Sequence, residues 1–233
     1  QREKNLILEE IKMVEDTTDD LVHDLFLQRF WTGHPLSLPI LGTRDSIEAL
    51  TTQALRDYFA ATYTSDNLII TAAGNLEHAW VRDLVERAFG GTRTGRPQVD
   101  DGPPTDTALV HIRDKDLEQS HICLGAGAYP QNHPERYAAL VLNTVMGGSM
   151  SSRLFQNVRE KRGLAYSVGS GLSAFRDAGL LSIYAGCSND RVGEVIGVIM
   201  NELRQLATQP IAAAELQRAK DNVKGGLLLG LES

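Results

Sequence analysis

The stretch Glu3-Lys4-Asn5-Leu6-Ile7-Leu8-Glu9-Glu10-Ile11-Lys12-Met13-Val14-Glu15-Asp16 is the first informative segment of this chain. Its apolar residues recur at the three- and four-residue spacing that predicts one apolar face of an amphipathic helix: Leu6, Ile7, Ile11 and Val14. Glu3 and Glu10 are seven residues apart, so two helical turns place their carboxylates on the same side. The pair is either an ordinary solvated surface, which glutamate often provides, or a metal ligand with a supporting acid.

A second informative segment lies further along the chain and reads Met146-Gly147-Gly148-Ser149-Met150-Ser151-Ser152-Arg153-Leu154-Phe155-Gln156-Asn157-Val158-Arg159-Glu160-Lys161-Arg162-Gly163-Leu164-Ala165-Tyr166-Ser167-Val168. It predicts a glycine break, a helix over 152–161 that Gly163 ends, and a following strand. Arg159 lies in the last helical turn, where a cation complements the helix dipole. Tyr166 lies in the strand, where an aromatic side chain can simply pack into a core.

Both segments resemble the pitrilysin and insulinase-like zinc metallopeptidases, which are called inverzincins. The first follows the family pattern E-R-x-V-I-L-E-E-I-x-M-x-E-D, with Lys4 in place of the usual arginine. The second follows G-G-x-M-S-S-R-L-F-x-x-V-R-E-K-R-G-L-A-Y-S-V, which the family carries in its second domain. The resemblance implies that Glu10 is a zinc ligand and that Glu3 supports the metal site. It also implies that Arg159 and Tyr166 orient the substrate and stabilise the carbonyl oxygen that becomes negative during hydrolysis.

The resemblance further implies an α+β fold of two related αβ domains of the processing-peptidase type, the first present only as its later half. Residues 1–96 are then the C-terminal part of the first, zinc-bearing domain, and residues 107–233 are most of the second, substrate-orienting domain, which binds no zinc. Residues 97–106 are rich in proline, glycine and aspartate, so we predict a linker there. We expect the chain to be a piece of a longer protein from the branch near the mitochondrial processing peptidases and bacterial zinc proteases.

Hydrophobic periodicity and breaker residues predict the remaining elements. Helices are predicted over 21–31, 46–50, 52–63, 77–89, 134–146 and 190–206, and a last helix opens at Pro210. Strands are predicted over 68–73, 108–113, 119–126, 164–174 and 179–187, and the run 68–73 is expected to be buried. Cys123 and Cys187 lie in strand-like runs and are interpreted as small buried thiols. The sequence does not decide whether they form a disulfide.

None of the chain's histidines fits the zinc-binding motif of the family. The chain has 6 histidines, and no two of them have the H-x-x-E-H spacing that supplies two histidine ligands and the general base. Glu10 alone should bind zinc weakly, because a catalytic zinc site takes three protein ligands. We therefore expect one zinc ion in the parent protein, none held by this chain alone, and no activity of this chain by itself.

Composition excludes other classes of function. The chain has 42% hydrophobic and 23% charged residues, which is typical of a globular protein. Its net charge of -7 argues against a nucleic-acid partner, which requires a basic face. No apolar run is long enough to span a bilayer, so no membrane span is predicted. The sequence does not indicate the cellular compartment.

Two functions from different classes remain. The first is a zinc-dependent metalloendopeptidase that hydrolyses extended or unfolded peptides, with its H-x-x-E-H helix outside this chain. The second is a non-catalytic partner subunit of a heteromeric peptidase, which supplies Arg159 and Tyr166 to the zinc site of another chain. The presence of Glu3 and Glu10 favours the first function, whereas a plain α+β scaffold would require both motifs to be coincidental. The resemblance also implies pairing, as a homodimer or as a heterodimer with a homologous subunit.

Overall fold

The computed structural model of the chain describes residues 2–96 and 102–231, so part of the predicted linker lies outside the described residues. The described residues combine helices with an antiparallel sheet, which confirms the predicted α+β class. In chain order the helices are α1 (Arg2–Asp16), α2 (Thr18–Phe30), α3 (Arg44–Ala49), α4 (Thr52–Thr62), α5 (His78–Phe89), α6 (Arg136–Met146), α7 (Val192–Thr208) and α8 (Ala213–Gly230). The strands are β1 (Gln119–Ala128), β2 (Ser167–Ala174) and β3 (Gly179–Ser188).

Short helical turns complete the secondary structure. Turns of 3-10 helix lie at Pro35–Ser37, Ser65–Asn67 and Asn189–Arg191, and a π-helix spans Phe155–Glu160. None of the helices within residues 2–96 and 102–231 has the length and apolar character needed to cross a membrane.

The described residues divide into two compact units. Residues 2–11 and 41–96 belong to the first unit, and residues 12–40 and 102–231 belong to the second. Helix α2 and the turn that follows it therefore group with the second unit, although they precede the predicted linker in the sequence. The boundaries of the two predicted domains stay a prediction.

Strand β3 is the centre of the second unit. It lies between β1 and β2 in a three-stranded antiparallel sheet. Gly186 of β3 is opposite His121 of β1 and Ser167 of β2. Successive side chains of a strand point to opposite faces, so β3 presents one set of residues to each side of the sheet. The set that includes Ile183, Ala185 and Cys187 is mostly buried, and the other set is buried or half-buried.

One face of the sheet packs against the main hydrophobic core. From β3 this core receives Ile183, Ala185 and Cys187, which are at most 2% exposed. Side chains from the π-helical segment and α7 are fully buried in the same cluster: Leu154, Val158, Val195 and Ile199. Burial of each such aliphatic side chain stabilises the folded chain by about 1.5–3 kcal/mol in transfer free energy.

The opposite face of the sheet is covered by α2. Phe30 and Trp31, at the end of this helix, are buried together with Leu180 of β3. The Trp31 indole donates to a carboxylate oxygen of Asp106 at 3.0 Å, and the Thr107 amide donates to the Phe30 carbonyl at 2.9 Å. These two hydrogen bonds fix residues 106–107 against the end of α2.

The first unit consists of helices with well-defined N-termini and exposed apolar faces. Thr43 and Ser46 form a reciprocal capping box at the start of α3, and the Thr51 hydroxyl accepts from the Ala54 amide to cap α4. Among the described residues, large apolar side chains of α4 and α5 stay exposed: Leu55, Tyr58, Phe59, Trp80, Leu84 and Phe89. Amphipathic helices normally bury such faces against a second layer of structure.

Two of the predicted strands are wrong. Residues 68–73 and 108–113 have no regular secondary structure and pair with no strand in the described part of the chain. Ile69 is 92% exposed and Val110 is 90% exposed, so the expected burial of the run 68–73 is wrong as well. β-Branched residues suit a pleated, half-buried surface, but a strand also needs a neighbour that satisfies its backbone groups.

Other predicted elements are present with shifted ends or altered geometry. The helix expected from Pro134 begins at Arg136, and the strand expected from Leu164 begins at Ser167. The helix expected over 152–161 is a π-helix for most of its length. Cys187 is buried in the main core, whereas Cys123 is half-buried on the opposite face of the sheet, near α2, and both thiols are free.

Leu154→Ala should lower the free energy of unfolding by about 2–5 kcal/mol, because Leu154 is 0% exposed and its truncation leaves a cavity. Leu38→Ala is the matched control, since Leu38 is 69% exposed, and its effect should stay within about 0.5 kcal/mol. Urea denaturation followed by circular dichroism measures both values. Equal losses in the two variants would contradict the assigned core.

Candidate functional site

The two residues predicted to contact substrate lie on either side of a chain reversal at Gly163. Gly163 has a φ of 59°, a left-handed conformation that glycine adopts without a steric penalty. Its amide donates to the Arg159 carbonyl at 2.9 Å, and the Leu164 amide donates to the Val158 carbonyl at 2.9 Å. These hydrogen bonds end the π-helix and direct the chain toward β2.

The side chains of Arg159 and Tyr166 are both exposed. The guanidinium carbon of Arg159 lies 5.1 Å from the centre of the Phe155 ring, and within residues 2–96 and 102–231 Arg159 forms no ion pair. Tyr166 is 62% exposed, and its amide donates to the Gly186 carbonyl of β3 at 2.8 Å. Tyr166 is therefore not a core aromatic residue, and both side chains can donate hydrogen bonds to a ligand.

The acidic pair of the first segment lies on α1. Glu3 and Glu10 are both exposed on this helix. At the rise of an α-helix their backbone positions are separated by about 10 Å along the axis, and the seven-residue spacing places both side chains on the same side of the helix. The acidic pair belongs to the first unit, whereas Arg159 and Tyr166 belong to the second.

The residues that the structure describes do not by themselves form a complete zinc site. Within the described ranges, no three side chains of histidine, cysteine, aspartate or glutamate are grouped so that they could hold one metal ion. A catalytic zinc site takes three protein ligands, and Glu10 could provide one of them. Any complete zinc site that includes Glu10 therefore needs ligands from outside the described residues.

A bidentate ion pair connects the segment before Arg159 to α8. Arg153 donates from Nε and Nη2 to the two carboxylate oxygens of Glu215, at 2.8 Å and 2.7 Å. The two side chains are only 17% and 22% exposed, so solvent weakens the pair less than it weakens a surface pair. The hydrogen bond from Arg153 lowers the pKa of the Glu215 carboxyl, and the same contact raises the pKa of the Arg153 guanidinium.

A second polar contact connects the π-helix to α7. Asn157 donates from Nδ2 to Oε1 of Glu202 at 2.8 Å, and its Oδ1 accepts from Nζ of Lys161 at 3.0 Å. Glu202 is 5% exposed, and its charge also attracts Arg153. The hydrogen bond from Asn157 and the positive charge of Arg153 both stabilise the folded chain, because a buried carboxylate that lacks hydrogen bonds and a countercharge is destabilising.

Comparison with known proteins identifies the family of this chain. A family profile described as "Peptidase M16 inactive domain" matches residues 49–223. The Bacillus subtilis protein named "Uncharacterized zinc protease YmxG" is 41% identical over 234 residues, which cover 100% of this chain and 57% of that protein. The chain belongs to the peptidase M16 family. It spans only about half the length of the curated relatives that it matches.

Solved structures share the fold of the M16 chain. The peptidase M16 inactive domain from Pseudomonas fluorescens matches with a TM-score of 0.88 at 22% identity, over 96% of this chain and 55% of that one. A chain of complex III2 from Candida albicans matches with a TM-score of 0.86 at 25% identity, over 99% of this chain and 57% of that one. The comparisons confirm the resemblance to this peptidase family and the predicted fold class.

A further group of polar side chains in the M16 chain lies between α2 and the sheet. His121 contacts the hydroxyl groups of Thr18 and Tyr184 at 2.9 Å and 3.0 Å, and the sulfur of Cys123 lies 3.9 Å from Nδ1 of His23. Burial raises the pKa of the Cys123 thiol to about 12. The thiol is therefore protonated at neutral pH and a poor nucleophile. This group joins α2 to the sheet.

Sequence reasoning missed the residues that hold the π-helix of the M16 chain. Arg153 and Asn157 lie in the second informative segment, but Glu215 is 62 residues from Arg153 and Glu202 is 45 residues from Asn157. The available signal was the four-residue spacing of Arg153 and Asn157, which places two polar side chains on one helical face. A single sequence does not identify partners at such separations.

The Arg153–Glu215 pair should make the stability of the M16 chain depend on pH. Because the pKa of Glu215 is lowered from its ordinary value of 4.5, the stabilisation is complete above that value and is lost as the pH falls through the folded-state pKa. Glu215→Gln should therefore lower the free energy of unfolding by about 1–2 kcal/mol at neutral pH, and this difference should shrink in acid.

Urea denaturation at a series of pH values measures the effect. Glu194→Gln is the matched control, because its partner Arg191 is 51% exposed and a surface pair contributes about 0–1 kcal/mol. A Glu215→Gln effect that stays constant from neutral to acidic pH would contradict the assigned role of the pair.

Proposed function

We propose that the chain is part of a zinc-dependent metalloendopeptidase that hydrolyses extended or unfolded peptides, and that its second unit orients the substrate. One observation carries the proposal: two exposed hydrogen-bond donors, Arg159 and Tyr166, lie on either side of the Gly163 reversal. The 41% identity to a protein named zinc protease supports the same function for the parent protein.

The chemistry of Arg159 and Tyr166 suits the stabilisation of a developing oxyanion. When a peptide bond is hydrolysed, negative charge accumulates on the carbonyl oxygen, and donors that are already in position stabilise it without reorganising. Arg159 offers a permanent positive charge, and Tyr166 offers a neutral O–H group. Their backbone is held by hydrogen bonds to Gly163 and to Gly186 of β3, so one donor extends from the end of the π-helix and the other from the residue just before β2.

The role of α1 in this proposal is to supply one zinc ligand. Glu10 contributes the carboxylate, and Glu3 supports the metal site without binding the ion, as the family resemblance implies. The remaining ligands come from outside the described residues. We place residues 1–96 in the zinc-bearing domain and residues 107–233 in the substrate-orienting domain of the parent protein.

A second candidate is a non-catalytic partner subunit that pairs with a homologous active chain. The structural likeness to a chain of a complex III2 assembly supports this candidate, because that relative occurs in a multi-subunit complex. In this candidate Arg159 and Tyr166 act on the zinc site of the partner, and Glu10 has no role in metal binding. In the first candidate the parent protein pairs with itself or with a homologous subunit.

The purified 233-residue chain should be inactive and should bind zinc weakly, since Glu10 is a single ligand. Cleavage of an unfolded peptide and isothermal titration with zinc chloride measure the two properties. Cleavage that a chelator abolishes and added zinc restores would contradict this expectation.

In the full-length parent protein, Arg159→Ala and Tyr166→Phe should each lower kcat by about 10²–10³-fold, because each removes a donor used in the transition state. Steady-state cleavage of a fluorogenic peptide measures kcat and KM. Arg162→Ala and Tyr137→Phe are matched controls, because both residues are exposed and neither is assigned to the site. Unchanged kcat in both test variants would contradict the proposed function.

Glu10→Gln separates the two candidates. In a metalloendopeptidase it should abolish zinc binding by the parent protein and its activity, whereas Glu9→Gln, at an exposed neighbouring position of α1, should leave both unchanged. If Glu10→Gln has no effect while Arg159→Ala lowers the activity of the assembled complex, the chain is the partner subunit.

A further inference from the structure

The backbone that carries Arg159 has an unusual winding. Residues Phe155–Glu160 form a π-helix, and the Lys161 amide donates to the Gln156 carbonyl, five residues earlier, at 2.9 Å. π-Helical turns are rare and frequently occur at functional sites. Arg159 lies within the widened π-helical turn. The backbone geometry of this turn therefore sets the direction in which the Arg159 side chain leaves the backbone.

Apolar packing alone does not fix that winding. Leu154 and Val158 are both 0% exposed and hold the inner side of the turn in the main core. The hydrophobic effect is non-directional, so the same two side chains could stay buried while the backbone rotates slightly. Hydrogen bonds depend on the angle between donor and acceptor, and they can therefore select one winding.

Two directional contacts hold the π-helical segment against different helices. Arg153 binds Glu215 of α8 in a bidentate ion pair, and Asn157 binds Glu202 of α7. Asn157 is central, because its amide nitrogen donates to a buried carboxylate while its amide oxygen accepts from Lys161 at the end of the turn. A change in the backbone geometry of the turn would alter the distance and angle of the Asn157–Glu202 hydrogen bond, which joins the turn to α7.

We propose that Asn157 is a positioning residue, which holds the π-helix between Glu202 and Lys161 so that Arg159 points toward the substrate. The proposal rests on the proposed role of Arg159 in peptide hydrolysis. Asn157 itself contacts no substrate in this account. Its amide uses both of its polar atoms to fix the backbone two residues before Arg159.

Asn157→Leu tests the proposal in the full-length parent protein, assayed with any partner subunit that it requires. Leucine keeps the branched arrangement of heavy atoms, although its methyl groups are bulkier, and it forms neither hydrogen bond. The expected result is a fall in kcat of about 10- to 100-fold with KM little changed, because a misdirected Arg159 loses its transition-state contact. Asn201→Leu, at an exposed position next to Glu202, is the matched control and should retain the wild-type kcat.

A double-mutant cycle with Arg159→Ala distinguishes positioning from general destabilisation. If Asn157 acts through Arg159, Asn157→Leu should have almost no further effect on kcat once Arg159 is alanine. An equal loss of kcat in both backgrounds, or no loss in the wild-type background, would overturn the proposal. If Asn157→Leu does not fold, Lys161→Met replaces it, because Lys161 is exposed and its loss removes one hydrogen bond of Asn157.

Hydrogen exchange on the 233-residue chain tests the positioning independently of activity. Asn157→Leu should accelerate exchange of the Lys161 and Gly163 amides by about tenfold or more, while Asn201→Leu should not. If Arg159→Ala and Tyr166→Phe both leave peptide cleavage unchanged, the proposed function fails, and the exchange rates still report whether Asn157 holds the turn. Unchanged exchange in Asn157→Leu would overturn the inference by itself.

Discussion

The second unit depends on burial of both faces of β3 and on backbone pairing along both of its edges. Ile183 and Ala185 face the main core, whereas Leu180 faces α2 and is 4% exposed. A slip of one residue would exchange the two faces, so the register of β3 is strongly specified. Because the Gly186 carbonyl of β3 accepts from the Tyr166 amide, the same register fixes the backbone position of Tyr166.

The candidate site combines exposed functional groups with buried supports. Arg159 is exposed, but the residue before it, Val158, is completely buried, and Gly163 closes the turn with a hydrogen bond to the Arg159 carbonyl. Asn157 adds a link to a buried carboxylate of α7. These contacts fix the backbone from which the Arg159 side chain extends, and donors that are positioned before the reaction stabilise a developing charge most effectively.

The sequence predicted the features that depend on contacts within a few residues, and it did not predict those that depend on tertiary contacts. Helices α5 and α7 followed from periodicity, and the end of the π-helix followed from Gly163, because these signals lie within a few residues. Residues 68–73 were predicted as a strand from their composition. A strand also needs a neighbouring strand to pair with, and the described residues contain none for this run. The π winding and the partners of Asn157 arise from tertiary contacts that leave no local pattern. The roles of Glu3, Glu10, Arg159 and Tyr166 were inferred from family resemblance, and their exposure is compatible with those roles.

The proposed function requires Arg159 and Tyr166 to act on the peptide bond that is hydrolysed. A crystal structure of the full-length parent protein with a bound non-cleavable peptide would show whether they do. We expect the Arg159 guanidinium or the Tyr166 hydroxyl to lie within about 3.5 Å of the carbonyl oxygen of the bond aligned for cleavage. A bound peptide that neither side chain contacts would rule out this role for the two residues.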